Sequence, residues 1–511
     1  MQAGGDYMNK TIRNMAILAV VLAFAVPLAA QEEASNALGL VIGAEGSYQQ
    51  PSSGTNAERA NELSTKEYFS FRYDSTFFDF LADMYANSDG KYSPESANMA
   101  GGTFGNTYVF MENGGLRAKL GPLSFLGGRL RHYDVIDSPF SLFVNSDGIT
   151  APLLQISYDG PVFFYSSRWI ELNRSSTMAT PAWTTGYPDR GANVKTYGFK
   201  LGEMRFGLQD AAVYSKKYFD LEYFLNPLPQ YFIQYSKTTS GRPWYANTNE
   251  NDMLGIFWDW RRPGAFSMNA QFLMDDFNVY WLGVGEHNPW KAALTFGGRL
   301  ETKAGSFGFY AAGATQFTYN AIGMTAGDEA TSAYGYAYYP DTVFNISMTG
   351  TDWAAIGIED NNIGYKYGEN NLAVQVDWLG SLAGFDLGGA LEFRLAGANS
   401  PANPWGDWHT YPDGGTRWLK DDVLEKRILA TVKAARTFGN WRLYGILKTG
   451  MAFDALTLRA SKNINDVTGV EGAGNETPLE QQILLWAPTA GLNKFIFKLT
   501  LGGSYSIPFK K

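Results

Sequence analysis

KFIFKLTLGGSYSIPFKK, residues 494–511, ends the chain. Phe495, Phe497, Leu499, Leu501, Gly503, Tyr505, Ile507 and Phe509 share one face of an extended segment, and Ile496, Lys498, Thr500, Gly502, Ser504, Ser506 and Pro508 share the other. Alternation of this kind marks a strand whose two faces meet different surroundings. It runs far beyond the about 5–6 residues of an average strand in a soluble protein. A tilted strand needs about 9–11 residues to cross a bilayer, apolar outward and polar or small inward.

The pattern recurs upstream. Phe385, Leu387, Gly389, Leu391, Phe393 and Leu395 alternate with Asp386, Gly388, Ala390, Glu392, Arg394 and Ala396. Phe307, Phe309, Ala311, Gly313, Thr315, Phe317 and Tyr319 form a third set, and Trp441, Leu443, Gly445 and Leu447 a fourth. A β-sandwich core would be overfilled by apolar faces this large, and no repeat at the period of propeller blades is present. The pattern predicts an all-β fold, an antiparallel transmembrane β-barrel of about 16–18 strands.

Composition agrees. Of 511 residues, 15% are aromatic and 18% charged, against about 25% charged in ordinary soluble domains. Without cysteine, disulfides, thiolate-bound zinc and iron–sulfur clusters are excluded. The net charge of −9 argues against nucleic acid as partner, and three histidines argue against a multi-histidine metal site. No cofactor is expected.

Residues 1–30 read as an N-terminal extension and signal peptide: Lys10 and Arg13 precede the apolar run Met15–Ala30, which closes on small residues. The run contains Pro27 and is shorter than the about 20 residues of a spanning helix. Residues 31–511 are the expected barrel domain. Short connections are expected at Gly121-Pro122, Asp159-Gly160-Pro161, Arg262-Pro263-Gly264, Lys303-Ala304-Gly305, Gly380-Ser381 and Phe438-Gly439-Asn440. Long polar ones are expected at 171–194, 236–252, 321–341, 397–425 and 461–480, an alternation of short periplasmic and long external connections. For the last strand to end in the periplasm, either Gln481 to Pro488 belongs to the last external loop, the favoured reading, or Thr489 to Asn493 is itself external. Between Glu58 and Asn87, residues 76–85 (TFFDFLADMY) carry a helical period as well as partial alternation. The helical reading places a short amphipathic element at the barrel base.

Residues 213–282 contain Phe224-Leu225-Asn226-Pro227, then Asn251-Asp252-Met253-Leu254-Gly255, then Phe272-Leu273-Met274-Asp275-Asp276-Phe277. The segment resembles the capsule-assembly outer-membrane family (Wzi-like). The resemblance implies an 18-stranded barrel in the cell outer membrane that binds or organises surface polysaccharide without catalysis. On their own terms, Asn226-Pro227 initiates a turn. Asp275 and Asp276 are strand neighbours pointing to opposite faces unless a bulge intervenes. No nucleophile elbow, zinc-protease helix or phosphate loop is present, so the protein is not expected to be an enzyme.

Trp405, Trp408, Tyr411 and Trp418 gather in one polar, external segment that suits stacking on sugar rings, although an interfacial aromatic girdle accounts for them more readily. Arg117, Arg129 and Arg131 are candidates to line the lumen and tune solute passage. Phe509 is the expected terminal aromatic read by the barrel-assembly machinery. The expected partners are outer-membrane lipid, that machinery, and surface polysaccharide or small solutes. A diffusion porin is the alternative function.

Overall fold

A computed structural model describes residues 37–50, 62–90, 107–178, 186–245, 250–276, 290–320, 334–345, 353–399, 416–461 and 483–509. Eighteen antiparallel strands close on themselves among these residues. The first nine are Ala37–Gln49, Leu63–Asp74, Phe78–Asn87, Tyr108–Leu120, Leu123–Leu130, Ala151–Asp159, Phe163–Asn173, Arg190–Leu201 and Met204–Ser215. Asn251–Arg262, Phe266–Asp276, Lys291–Thr302, Gly305–Ala314, Asn371–Leu382, Phe385–Ala396, Glu425–Phe438, Trp441–Phe453 and Lys494–Phe509 follow. Each pairs with the next, and the last closes on the first from Leu38↔Phe509 to Gln49↔Lys498. Closure leaves no unpaired strand edge, which a bilayer would not tolerate.

Alternation sets the facing of each wall. Leu501, Phe495, Phe393, Leu391, Phe309 and Phe307 are all exposed on the outside, as their apolar sets require of a lipid-facing band. The opposite face meets a packed interior. Ile170, Val213, Leu273, Ala312 and Ala373 come from five different strands yet join one buried cluster, which only the inside of a barrel permits.

The end of the chain follows the expected bookkeeping. Leu456–Ser461 and Ile483–Pro488 pair with each other as a separate hairpin, and the turn at 489–493 leads into the closing strand. Ile483–Pro488, the described part of the stretch from Gln481, thus forms no barrel strand, and the final strand runs back towards the short-turn end.

Three expectations are corrected. The apolar set that begins at Phe307 ends as a strand at Ala314, and Phe317 and Tyr319 are buried beyond it. The region 58–87 holds no helix among its described residues; Leu63–Asp74 and Phe78–Asn87 are barrel strands in register from Lys66↔Asn87 to Asp74↔Asp79. The helical spacing arises because Leu81 is an apolar residue on the inward side, opposite Arg72. The turn expected at Gly380-Ser381 lies at Ala383-Gly384, both with positive φ (52° and 77°), so the strand runs through Gly380. The other named short connections fall where expected. Residues 1–36, including the signal-peptide region, lie outside the described residues.

Candidate functional site

After Leu130 the chain leaves the wall and turns inward. Phe140, Leu142, Phe143 and Val144 are fully buried against inward side chains of the barrel. Wall amides hold this segment: Gln271 accepts from the Leu142 amide at 2.8 Å and donates to Gln209 at 2.6 Å. Gln209 in turn donates to Asp134 at 2.8 Å, whose carboxylate also accepts from the amides of Phe143 and Val144 at 3.0 Å. Gly255 leaves room beneath the Phe143 ring; a Cβ there would lie 2.8 Å from the ring and 2.0 Å from the Phe272 carbonyl oxygen.

Two further segments complete the plug. Phe317 and Tyr319 take positive φ (74° and 77°) as the chain turns inward after Gly305–Ala314. Tyr319 and Tyr336 stack at 6.0 Å and donate to the carbonyls of Leu142 and Phe143. Buried Arg190 reaches from the wall to the carbonyls of Gly335 and Ala337 at 2.6 and 3.0 Å. His132 contacts the Tyr338 hydroxyl at 2.6 Å, and burial, with Arg168 nearby, pushes its pKa down to about 3.

On the opposite wall the plug is held by charge. The short helix α1 (Ile358–Asn361) presents Glu359 to Arg427 at 2.8 Å. Arg427 also reaches Glu392 at 3.0 Å and the Tyr367 hydroxyl at 2.7 Å, while Lys366 pairs with Glu392 at 3.3 Å and Arg394 with Glu425. Burial alone would raise the Glu359 pKa; the charges of Arg427, Lys448, Lys366 and Arg394 outweigh it and hold the carboxyl well below the usual range.

Among the described residues, the plug covers only part of the interior wall. Along the remaining sector, strands 37–49, 63–74, 78–87, 108–120, 425–438, 441–453 and 494–509, the inward residues Arg72, Arg117, Lys433, Arg442 and Lys498 are exposed. Carboxylates deeper in these walls are held by neighbours: Asp79 by Lys119, Asp83 by Asn113 at 3.0 Å and by Ser70, and Glu45 by Tyr444 at 2.8 Å. Tyr444 reaches Glu45 across Gly502, where a Cβ would lie 2.4 Å from the ring. Of the five cations, Arg117 also lies 3.9 Å from Asp79, and among the inward carboxylates of these strands Asp74 is exposed, so cations outnumber exposed anions along this sector.

The sequence-selected residues divide. Arg117 lies inward, opposite Asp79. Arg129 shares the outward register of Gly114 and Pro152 and donates to the Thr150 carbonyl at 3.2 Å. Arg131 begins the plug, its amide bonded to Asn113 at 2.7 Å. Trp418 donates to the Asn371 carbonyl at 3.0 Å and lies near Gly313 on the outer face, away from the lumen. Trp405, Trp408, Tyr411 and Phe277 lie outside the described residues, as do the side chains of Asp276 and Phe509.

In the motif segment, Leu254 faces outward and Asn251 is buried. Asn226 accepts from the Leu228 amide at 3.1 Å around Pro227, the turn the dipeptide predicts. Asp275 faces inward, pairs with Lys291 at 3.4 Å and accepts from the Tyr319 amide at 2.8 Å, so it anchors the plug. The strand register shifts between Met274 and Asp276. Among the described residues, no group of three or more histidine, aspartate or glutamate side chains is placed to hold a metal ion. The plug itself was invisible in sequence, because aromatics in 131–150 and 334–345 follow no period.

No family model and no curated protein matches the chain. Among solved structures, it is similar to Wzi of Escherichia coli, an outer-membrane protein involved in group 1 capsule assembly and a carbohydrate-binding β-barrel. Identity is 9% over 92% of this chain and 85% of that one, with a TM-score of 0.49. It is also similar to OccAB4 of Acinetobacter baumannii (9% identity, 94% and 99% covered, TM-score 0.43). OccD3 of Pseudomonas aeruginosa shows 10% identity, 96% and 97% covered, and a TM-score of 0.41.

Proposed function

We propose that this chain is a non-catalytic outer-membrane barrel that lets small solutes, anions by preference, pass along the sector of its lumen left uncovered by the plug. The carrying observation is the row of exposed, inward cations: Arg72, Arg117, Lys433, Arg442 and Lys498. Charge lining a confined path selects by sign, because a solute that sheds water there feels the wall through a lowered dielectric. Residues 1–30 direct export in this reading, and the assembly machinery inserts the barrel.

Polysaccharide binding, implied by the family resemblance, would use the external loops. The plug is compatible with it, since inward loops also build a surface. The two readings separate in liposome swelling. Reconstituted protein is expected to admit gluconate faster than a neutral sugar of similar size, and that faster than an amino-sugar cation. Absence of swelling with every solute would remove the diffusion reading, and calorimetric binding of an oligosaccharide would then favour the other.

A further inference from the structure

Outside the barrel, two helices lie flat on the wall. Helices α2 (Leu221–Leu225) and α3 (Gln230–Thr238) cover the outward faces of strands 163–173, 190–201 and 204–215. The outward residues beneath them are unlike those elsewhere. Lys195 donates to the carbonyls of Asn226 and Leu228, both at 2.7 Å, and Ser167 donates to that of Phe224 at 2.7 Å. Gln230 donates from its side chain to the carbonyls of Asn193 and Asp210 at 3.0 Å, and from its amide to the Asp210 carboxylate. Lys217 and Lys237 staple the segment to itself through Asp220 and Glu250.

The height of this polar patch matters. Lys195 lies six positions along its strand from outward Leu201 at the short turn, about 15 Å up the wall at ~3.3 Å per residue and ~40° of tilt, inside a lipid-facing band about 25 Å tall. Polar wall residues at that depth need a cover.

The helices that provide it are amphipathic in the inverse sense. Buried Gln230 and Ile233 of α3 face the wall, whereas Tyr231, Phe232 and Tyr235 point away from the protein and are more than half exposed. Leu221, Leu225 and Leu228 continue the same surface. Below it the band resumes with Phe199, Phe206 and Leu208.

We infer that residues 221–235 form an extramural shield embedded in the external leaflet, so that over this sector lipid acyl chains contact the helices Leu221–Leu225 and Gln230–Thr238 instead of the strands. Acyl chain is the occupant because the apolar face is continuous with the lipid-facing band and lies at its height. The inference is independent of what passes through the lumen.

The chain has no cysteine, so Leu225→Cys, Phe232→Cys and Tyr235→Cys each accept a single nitroxide. All three positions are exposed, and each variant is first checked for the compact band in unheated SDS. Leu208→Cys serves as a lipid-facing reference and Lys433→Cys as a water-facing one. In phosphatidylcholine–phosphatidylglycerol vesicles, power saturation is expected to give oxygen and nickel-chelate accessibilities matching Leu208, with loss of the nickel effect seen at Lys433. Nickel accessibility equal to that at Lys433 would place the helices in water and overturn the shield. Spin–spin broadening that vanishes on dilution with unlabelled protein would also overturn it, by showing that a second copy covers this face.

Discussion

Glu359 and Arg427 meet at 2.8 Å, one on a plug helix and the other on the barrel wall. The pair fixes a loop-borne element against a strand, and Arg427 extends the link to Glu392 and Tyr367. An arginine is suited to this position because its planar fork serves several acceptors at once.

Glu359→Gln should loosen the plug without unfolding the barrel. Removing one partner of a fully buried pair costs about 3–5 kcal/mol. Glu359 keeps 39% of its side chain exposed, and screening reduces the expected loss to roughly 1–2 kcal/mol. Larger current fluctuations across a planar bilayer, with an unchanged temperature of SDS unfolding of the barrel, are the expected readout. Quiet currents identical to the parent's would show that the pair does not restrain the plug.

His132 makes the plug acid-sensitive. Its folded-state pKa of about 3 lies below the ordinary 6.5, so the unfolded segment binds a proton first as pH falls. Stability is full above about pH 6.5 and declines towards pH 3. His132→Gln should flatten proteolytic susceptibility of residues 131–150 across pH 6.5 to 5. A parent protein with no pH dependence in that window would contradict the buried neutral histidine.

The two faces of the closing strand should respond oppositely to charge. Leu501→Arg places a cation on the lipid band at a cost of up to about 2–4 kcal/mol. Ser504→Asp adds an anion on the inward side, opposite Arg442, and should be tolerated. The yield of folded, heat-modifiable protein in the membrane fraction compares them. Equal yields would mean that the facing is misassigned.

Gly255→Ala should cost about 1–3 kcal/mol, since its methyl group meets both the Phe143 ring and a neighbouring backbone oxygen. A lower temperature of SDS unfolding is the measurement, and an unchanged one would show that both the Phe143 ring and the neighbouring strand yield freely.

Strand facing was legible wherever one side is apolar throughout, as in Phe385–Ala396, because the period of two records which solvent each face meets. The reading failed where a local signal misled. Leu81 is apolar but inward, which mimics a helix, and Gly380-Ser381 offers a turn signal only four residues before the glycine of the true turn at Ala383-Gly384. The plug was not legible for a different reason. Its aromatics satisfy partners such as Gln271, Asp275 and Arg190, distant in sequence and brought near only by closure of the barrel. The inverted amphipathicity of Leu221–Leu225 and Gln230–Thr238 acquires meaning only once the wall behind them is known.

The reversal potential of single channels under a KCl gradient tests the central claim most directly. The exposed Arg72, Arg117, Lys433, Arg442 and Lys498 predict a potential set by chloride, shifting towards that of potassium in Arg117→Glu/Lys433→Glu. A parent channel that prefers potassium, or a bilayer that stays silent while the folded barrel is present, would contradict it.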